Sequence, residues 1–424
     1  MINQSFWIDT KPAFKLGTDQ FGSSHYDVAI IGGGLTGLAA AHTLAKQGAS
    51  VALFESGQIM EQASGQNGGQ CSTGVAQDFA SLASTIGLEK AKRYYNAYSD
   101  AVDYLRNIII EENIECEYRE SGKLKLAAKP QHAEKIHKTY ELIKQEVDSN
   151  VEFLDANAVK SEIASDEFYA GMVQKNAFQI HVGKLGIGIA NSAANYGAHI
   201  FENNPVTGIK NQGQQYSIES PKGKITAKDV IVASGISKDG PLGWFRRRIV
   251  PVGSFILVTE KIDPKIIERL MPNKRSYVTS RIIGNYFRVM GDDRLLFGGR
   301  ARFAMSDSKS DAISGQILLK AMGDMFPDLK DVKATHCWGG LVDITPNRLP
   351  KAGQHDGMFY AMGYSGHGVQ MSAFMGQQMA KMISGDSNAN PWNEESWYPI
   401  PAYNGKPWFL PMVGAYYRLQ DYLH

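Results

Sequence analysis

The sequence has little that would point to a metal, a nucleic acid or a membrane. Its only cysteines are Cys71, Cys116 and Cys337. They are odd in number and lack metal-ligand spacing, so no metal site is expected and a reducing compartment fits best. No apolar run is long enough to span a bilayer. The amino terminus, MINQSFWIDTKPAFK, has neither a charged start ahead of an apolar stretch nor twin arginines, and a cytoplasmic protein is expected. Charge of one sign is also missing: 44 Lys and Arg stand against 43 Asp and Glu. With no basic stripe, nucleic acid is not an expected partner. What is present is ordinary for a globular chain, 43% hydrophobic and 21% charged residues over 424 positions, long enough for two domains.

Tyr26 to Glu55, YDVAIIGGGLTGLAAAHTLAKQGASVALFE, reads as strand, glycine turn, helix and second strand. Val28 to Ile31 is the short apolar run of a parallel strand covered on both faces. Gly32 allows the tight turn, Gly34 leaves room for a pyrophosphate at the backbone, and Gly37 lets the helix lie close on the strand. The helix opens at Leu35 and Thr36, where unpaired N–H groups meet phosphate. Glu55 falls 18 positions after Gly37, near the ~20 expected for an acid that accepts ribose hydroxyls. Such an acid would repel an NADP 2′-phosphate. Strand, helix, cap and acid in this order specify a dinucleotide site far better than glycines alone, which mostly mark turns. GKLGIGIANSA lacks the closing glycine of a second fingerprint, which argues against an NADPH-binding half.

After Glu55 comes SGQIMEQASGQNGGQCSTG, a long loop of the kind that is usually functional. Apolar residues at three- and four-residue spacing make 87–113 an amphipathic helix. GKLKLAA alternates as a strand, and Pro130 opens a helix to about Val147. DVIVASG is a second buried strand that ends at Gly235, and residues 241–344 read mainly as strand with one helix at 311–325. Phe359 to Gly363 is a last short strand leading into a last helix. We therefore expect an α/β fold, α+β overall: a Rossmann-like nucleotide domain from 24–86, 150–240 and 345–390, and a mainly antiparallel substrate domain from 87–149 and 241–344. Residues 1–23 and 391–424 are expected to be arms packed on the body.

Four separated stretches, IIGGGLTGL, ASGQNGGQ, RLLFGGR, and WGGLVDITPNRLPKAG running on to GYSGHG, resemble the D-amino-acid oxidase superfamily of FAD enzymes. Within it the chain is similar to the γ-glutamylputrescine oxidase-like amine oxidases. The resemblance extends to SFW near the start and PMVGAYYRLQDYL near the end. It implies noncovalent FAD, since Cys337 fits the register of cysteine-attached relatives poorly. It also implies that Ser64, Gly65, Asn67, Gly68 and Gly69 wrap the ring and phosphates with backbone donors, although relatives commonly have arginine where Gln66 stands. Gly363, Ser365, Gly366, His367, Gly368 and Val369 are expected at the flavin's pyrimidine ring, where a helix N-terminus favours the negative charge of the reduced form. There we favour backbone contact over imidazole catalysis. Val206 matches the position that contacts adenine through its backbone, and an ordinary core valine would look the same.

For the substrate side, Trp338, Tyr286 and Tyr364 are candidate aromatic walls that disfavour the ammonium form of an amine by desolvation, and plain packing explains each of them equally well. Amino-acid oxidases of the superfamily carry an arginine clamp just after the GG-like turn. Here those positions hold Leu341, Val342 and Asp343, which favours a substrate without an α-carboxylate. Arg300, with Arg288 and Arg348, remains a candidate anchor for a distant carboxylate. The resulting expectation is oxidation of a γ-glutamylputrescine-like small-molecule amine to imine and aldehyde, with molecular oxygen reduced to hydrogen peroxide. Two alternatives stand beside it: an amino-acid dehydrogenase passing electrons to a membrane quinone, motivated by the aromatic tail, and a non-catalytic flavin-holding protein.

Overall fold

The computed structural model describes residues 1–236, 240–299 and 308–423. At its centre is the strand His25–Ile31, paired in parallel with Val51–Phe54 on one side and Gly223–Val232 on the other. His199–Phe201 and Met358–Met362 extend the sheet outward, giving five parallel strands. Alternation along the central strand separates two cores. Val28 and Ile30 face the layer of helices, while Ala29 and Ile31 face a second apolar cluster that includes Phe201, Phe245 and Trp397. Burial on both faces explains why these strands read as unbroken apolar runs.

The helix Leu35–Lys46 lies on this sheet, with Gly368–Ile383 and Val182–Asn195 beside it. Its alanines make a flat face, and the approach is closer than any side chain would allow. A Cβ on Gly37 would sit 1.9 Å from the Gly32 carbonyl oxygen, and one on Gly376 would sit 2.1 Å from that of Thr36. The glycine helix is thus clamped between its own turn and the closing helix.

A second sheet of eight strands runs in the order Ala334–Ile344, Val250–Lys261, Arg294–Gly299, Asn285–Val289, Ser276–Thr279, Lys123–Leu126, Gly171–Gln174 and Glu152–Leu154. Every neighbouring pair is antiparallel except Ser276–Thr279 with Lys123–Leu126. The helix Ser308–Met325 packs on its back through Leu318 and Met322.

The strands are shared out differently from the expected partition. Glu152–Leu154 and Gly171–Gln174 belong to the second sheet, although their place in the chain grouped them with the first. Conversely, the helices Leu88–Glu111 and Pro130–Glu146 bury Tyr95, Tyr98, Leu105, Ile136 and Ile143 in the core of the helix layer. Hydrophobic period marks that an element has a buried face but not which layer covers it. At the amino end Trp7, on the short helix Phe6–Thr10, is fully buried, and Trp392 is as deeply buried at the other end.

Gly376→Ala should lower the stability of the whole protein by roughly 1–3 kcal/mol, because backbone atoms and not a flexible side chain meet the new methyl group. The check is the urea midpoint. An unchanged midpoint would mean that the two helices can part without loss.

Candidate functional site

A cavity of ≈ 1500 Å³ opens between the two sheets. At one end its wall is Gly32, Gly34, Leu35, Thr36 and Glu55, with Val206 and Gly235 nearby. The Glu55 carboxylate accepts the N–H groups of Gly33 at 2.7 Å and Gly57 at 2.9 Å. Gly34, at the N-cap of the helix, has no side chain with which to cap it. The Leu35 N–H reaches the Ser64 hydroxyl at 3.0 Å. Helix donors, glycine-lined space and an acid therefore line one end of the cavity.

The loop from Ser64 to Gly69 follows, and its backbone is held from outside by four side chains in succession. Ser5 donates to the carbonyl of Gly65 at 2.6 Å, the Trp338 indole to Gln66 at 3.0 Å, the Trp7 indole to Asn67 at 2.6 Å and the Arg288 guanidinium to Gly68 at 2.9 Å. With the carbonyls engaged behind the loop, the N–H groups of Asn67 and Gly68 take no acceptor among the described residues. Gly69 has φ +62, and a Cβ there would lie 2.4 Å from the Ile180 carbonyl oxygen. Only glycine makes that turn freely.

The third part is the turn from Gly363 into Gly368–Ile383. The Gly363 N–H donates to the Asp343 carboxylate at 2.7 Å and the Ser365 N–H to the Asp343 carbonyl at 3.1 Å. The helix start again has no side-chain cap. Ser365, Gly366, His367, Gly368 and Val369 line the cavity. Tyr364 lines it too, and its hydroxyl shares a 2.8 Å hydrogen bond with Thr36. This bond ties the turn to the glycine helix.

Of the candidate aromatic walls, Tyr286 and Tyr364 face the cavity. The Tyr286 ring lies 3.1 Å from where a Gly68 Cβ would be, and its hydroxyl is 3.2 Å from that of Ser254. Trp338 does not face the cavity. It is 3% exposed and supports the loop from behind. Gly37, Gly65, Gly69 and Gly363 likewise shape the backbone without lining the space. Arg288 is buried against backbone carbonyls, and burial next to Arg119 pulls it down to about 9. Its fork is spent on structure. Arg348 lines the cavity, and Arg300 lies outside the described residues. Cys337 is buried in the second core with its thiol against the Asp311 carbonyl.

Three contributors were missed as site residues. Ser5 and Trp7 carried a signal only as part of SFW. Asp343 was noted only for not being an arginine, yet it lines the cavity, and burial pushes its carboxyl up to about 6 against the pull of surrounding N–H groups.

Residues 27–382 match the profile described as DAO: FAD dependent oxidoreductase. The chain belongs to that family. It is 30% identical to gamma-glutamylputrescine oxidoreductase of Escherichia coli (strain K12), covering 94% of this chain and 93% of that protein. It is 32% identical to a probable oxidoreductase OrdL of Rhizobium meliloti (strain 1021), covering 98% and 96%. Among solved structures, glycine oxidase from Geobacillus kaustophilus superposes with a TM-score of 0.70 at 21% identity, covering 90% of this chain and 99% of that one. The protein is thus an FAD-dependent oxidoreductase with a Rossmann-like sheet and a second, mainly antiparallel one. The site fits FAD: two helix starts, the loop N–H groups of Asn67 and Gly68 and an acid after the second strand surround one cavity.

Two outcomes are expected. Trp7→Phe keeps a ring but removes the donor to Asn67, so FAD uptake by the apoprotein should weaken ~10-fold, read by quenching of flavin fluorescence; an unchanged Kd would separate the loop from cofactor binding. Asp343, raised above the ~3.9 of an unfolded chain, keeps its proton in the folded state over that interval. Its contribution to stability is complete below the unfolded value and is lost as pH rises through about 6. Between pH 4.5 and 7 the wild type should therefore lose roughly 1–2 kcal/mol relative to Asp343→Asn, an amount discounted for the open side of the cavity. Parallel urea midpoints for the two proteins across that range would refute it.

Proposed function

We propose that the protein oxidises an amine lacking an adjacent carboxylate, of the γ-glutamylputrescine type, to an imine that water converts to an aldehyde, with molecular oxygen as acceptor. The observation that carries this reading is Asp343. The stretch after the Gly339–Gly340 pair, where the resembled amino-acid oxidases place a carboxylate clamp, here puts Leu341, Val342 and an acid in the cavity wall. An acid repels an α-carboxylate and attracts an ammonium group. The similarity to gamma-glutamylputrescine oxidoreductase supports the same substrate class. In balance, the amine and oxygen become imine and hydrogen peroxide, and hydrolysis of the imine releases ammonia.

FAD, when bound, supplies the two-electron acceptor. In this reading Gly32, Gly34, Leu35 and Thr36 receive the pyrophosphate, Glu55 the ribose, and Val206 and Gly235 border the adenine. The loop Ser64–Gly69 and the segment Gly363–Val369 flank the ring, noncovalently. The start of Gly368–Ile383 offers partial positive charge where negative charge develops. Tyr286 and Tyr364 keep water out and favour the neutral amine. Asp343 draws the ammonium in and can hold a proton near neutrality. Three free, buried thiols suit a cytoplasmic setting.

A second reading is favoured by the carboxy-terminal segment. Trp408, Met412, Tyr416, Leu419 and Tyr422 are exposed at helical spacing on and before the helix Leu410–Leu423, a pattern that suits an interface. No helix among the described residues is long and apolar enough to cross a membrane. A dehydrogenase passing electrons to a membrane acceptor would use such a surface.

Anaerobic addition of γ-glutamylputrescine should bleach the flavin, and air should restore it with stoichiometric peroxide. Fully flavinated protein that no polyamine or glutamyl conjugate bleaches would sink the substrate assignment. Bleaching that only an artificial acceptor reverses, together with co-sedimentation with liposomes, would move the assignment to the dehydrogenase.

A further inference from the structure

The strand Lys123–Leu126 turns Leu124 and Leu126 into the second core. Alternation sends Lys123 and Lys125 to the other face, and both line the cavity. The strand is interior to its sheet, flanked by Ser276–Thr279 and Gly171–Gln174, so neither ammonium can escape around an edge. Lys123 donates to the Thr73 carbonyl at 3.0 Å and lies 3.5 Å from the Ser72 hydroxyl. Among the described residues no carboxylate stands within ion-pair distance of it. Lys125 has one, Asp78 at 3.7 Å. That carboxylate already accepts the Ser81 N–H at 3.1 Å and the Thr139 hydroxyl at 2.8 Å. Lys135, from Pro130–Glu146, lines the same recess.

Lys123 and Lys125 thus share a partly desolvated recess, with the exposed Lys135 at its rim, and Asp78 is the one carboxylate in ion-pair reach of either buried lysine among the described residues. Burial, with repulsion from Lys125, pulls Lys123 down to about 7. Cations gathered this way destabilise a fold unless an anion joins them. The same cavity carries Asp343 on another wall, so it offers an acid for one end of a ligand and bases for the other.

We infer that this recess is an anion subsite in which Lys123 and Lys125 hold a carboxylate at the end of the substrate remote from the reacting amine. The inference rests on the amine-oxidation reading for the chemistry at the other end, but the subsite is testable without turnover. Glutarate should bind the FAD-loaded protein in calorimetric titration, and Lys123→Gln should abolish that heat while Lys123→Arg retains it. In turnover, putrescine acylated with glutaric acid should exceed the same amide ending in a carboxamide by ~10- to 100-fold in kcat/KM. The difference should lie mainly in KM, and Lys123→Gln should bring the ratio toward unity. The subsite is overturned if glutarate gives no heat with the wild type, or if the preference for the acid survives Lys123→Gln. Glutarate binding that depends on Lys123, in a protein whose flavin no amine bleaches, would overturn the amine reading and leave the subsite standing.

Discussion

Four consecutive carbonyls, from Gly65 to Gly68, are each taken by a side chain behind the loop: Ser5, Trp338, Trp7 and Arg288. A peptide unit whose oxygen is fixed on one side presents its N–H on the other. An unengaged glycine-rich loop would sample many conformations at high entropic cost. Here that cost is met by indoles and a guanidinium on the amino-terminal arm and the second sheet, which explains why these groups are so deeply buried. Of the four N–H groups in these peptide units, those of Gln66 and Gly69 are engaged within the loop, and those of Asn67 and Gly68 take no acceptor among the described residues.

The same logic of backbone held close recurs in the glycine helix. Gly37 and Gly376 place it within van der Waals reach of its own turn and of the closing helix. The Thr36–Tyr364 hydrogen bond then locks the first turn to the segment that starts the last helix. Two helix starts are brought to one cavity by packing that tolerates no added methyl group, so their partial positive charges act on a common volume.

The distribution of charge within that volume divides the proposed labour. In the proposed reading an acid on the strand Ala334–Ile344 replaces an α-carboxylate clamp, and lysines on Lys123–Leu126 line the same cavity. Arginine, the residue best suited to a bidentate carboxylate clamp, is instead spent at position 288 on supporting the cofactor-facing loop. This allocation separates the proposed chemistry from amino-acid oxidation without altering the fold.

The nucleotide half was legible because its signals are local: glycine spacing, a small-residue helix face and an acid at the end of the second strand lie within one contiguous run. Leu124 and Leu126 announced a strand with one buried face, and the family motifs placed both the loop and the last helix. Trp338 takes the packing role that the sequence left level with a cavity wall, because its contact with Gln66 spans 272 positions and no local pattern separates the two. The sequence alone determined that a dinucleotide cradle forms and which backbone groups it exposes, because turn and helix geometry follow from residues a few places apart. Only the tertiary structure decided what braces the loop, where Asp343 sits and which face of Lys123–Leu126 meets the cavity, because those depend on long-range pairing of strands whose own patterns are satisfied by any partner that buries them.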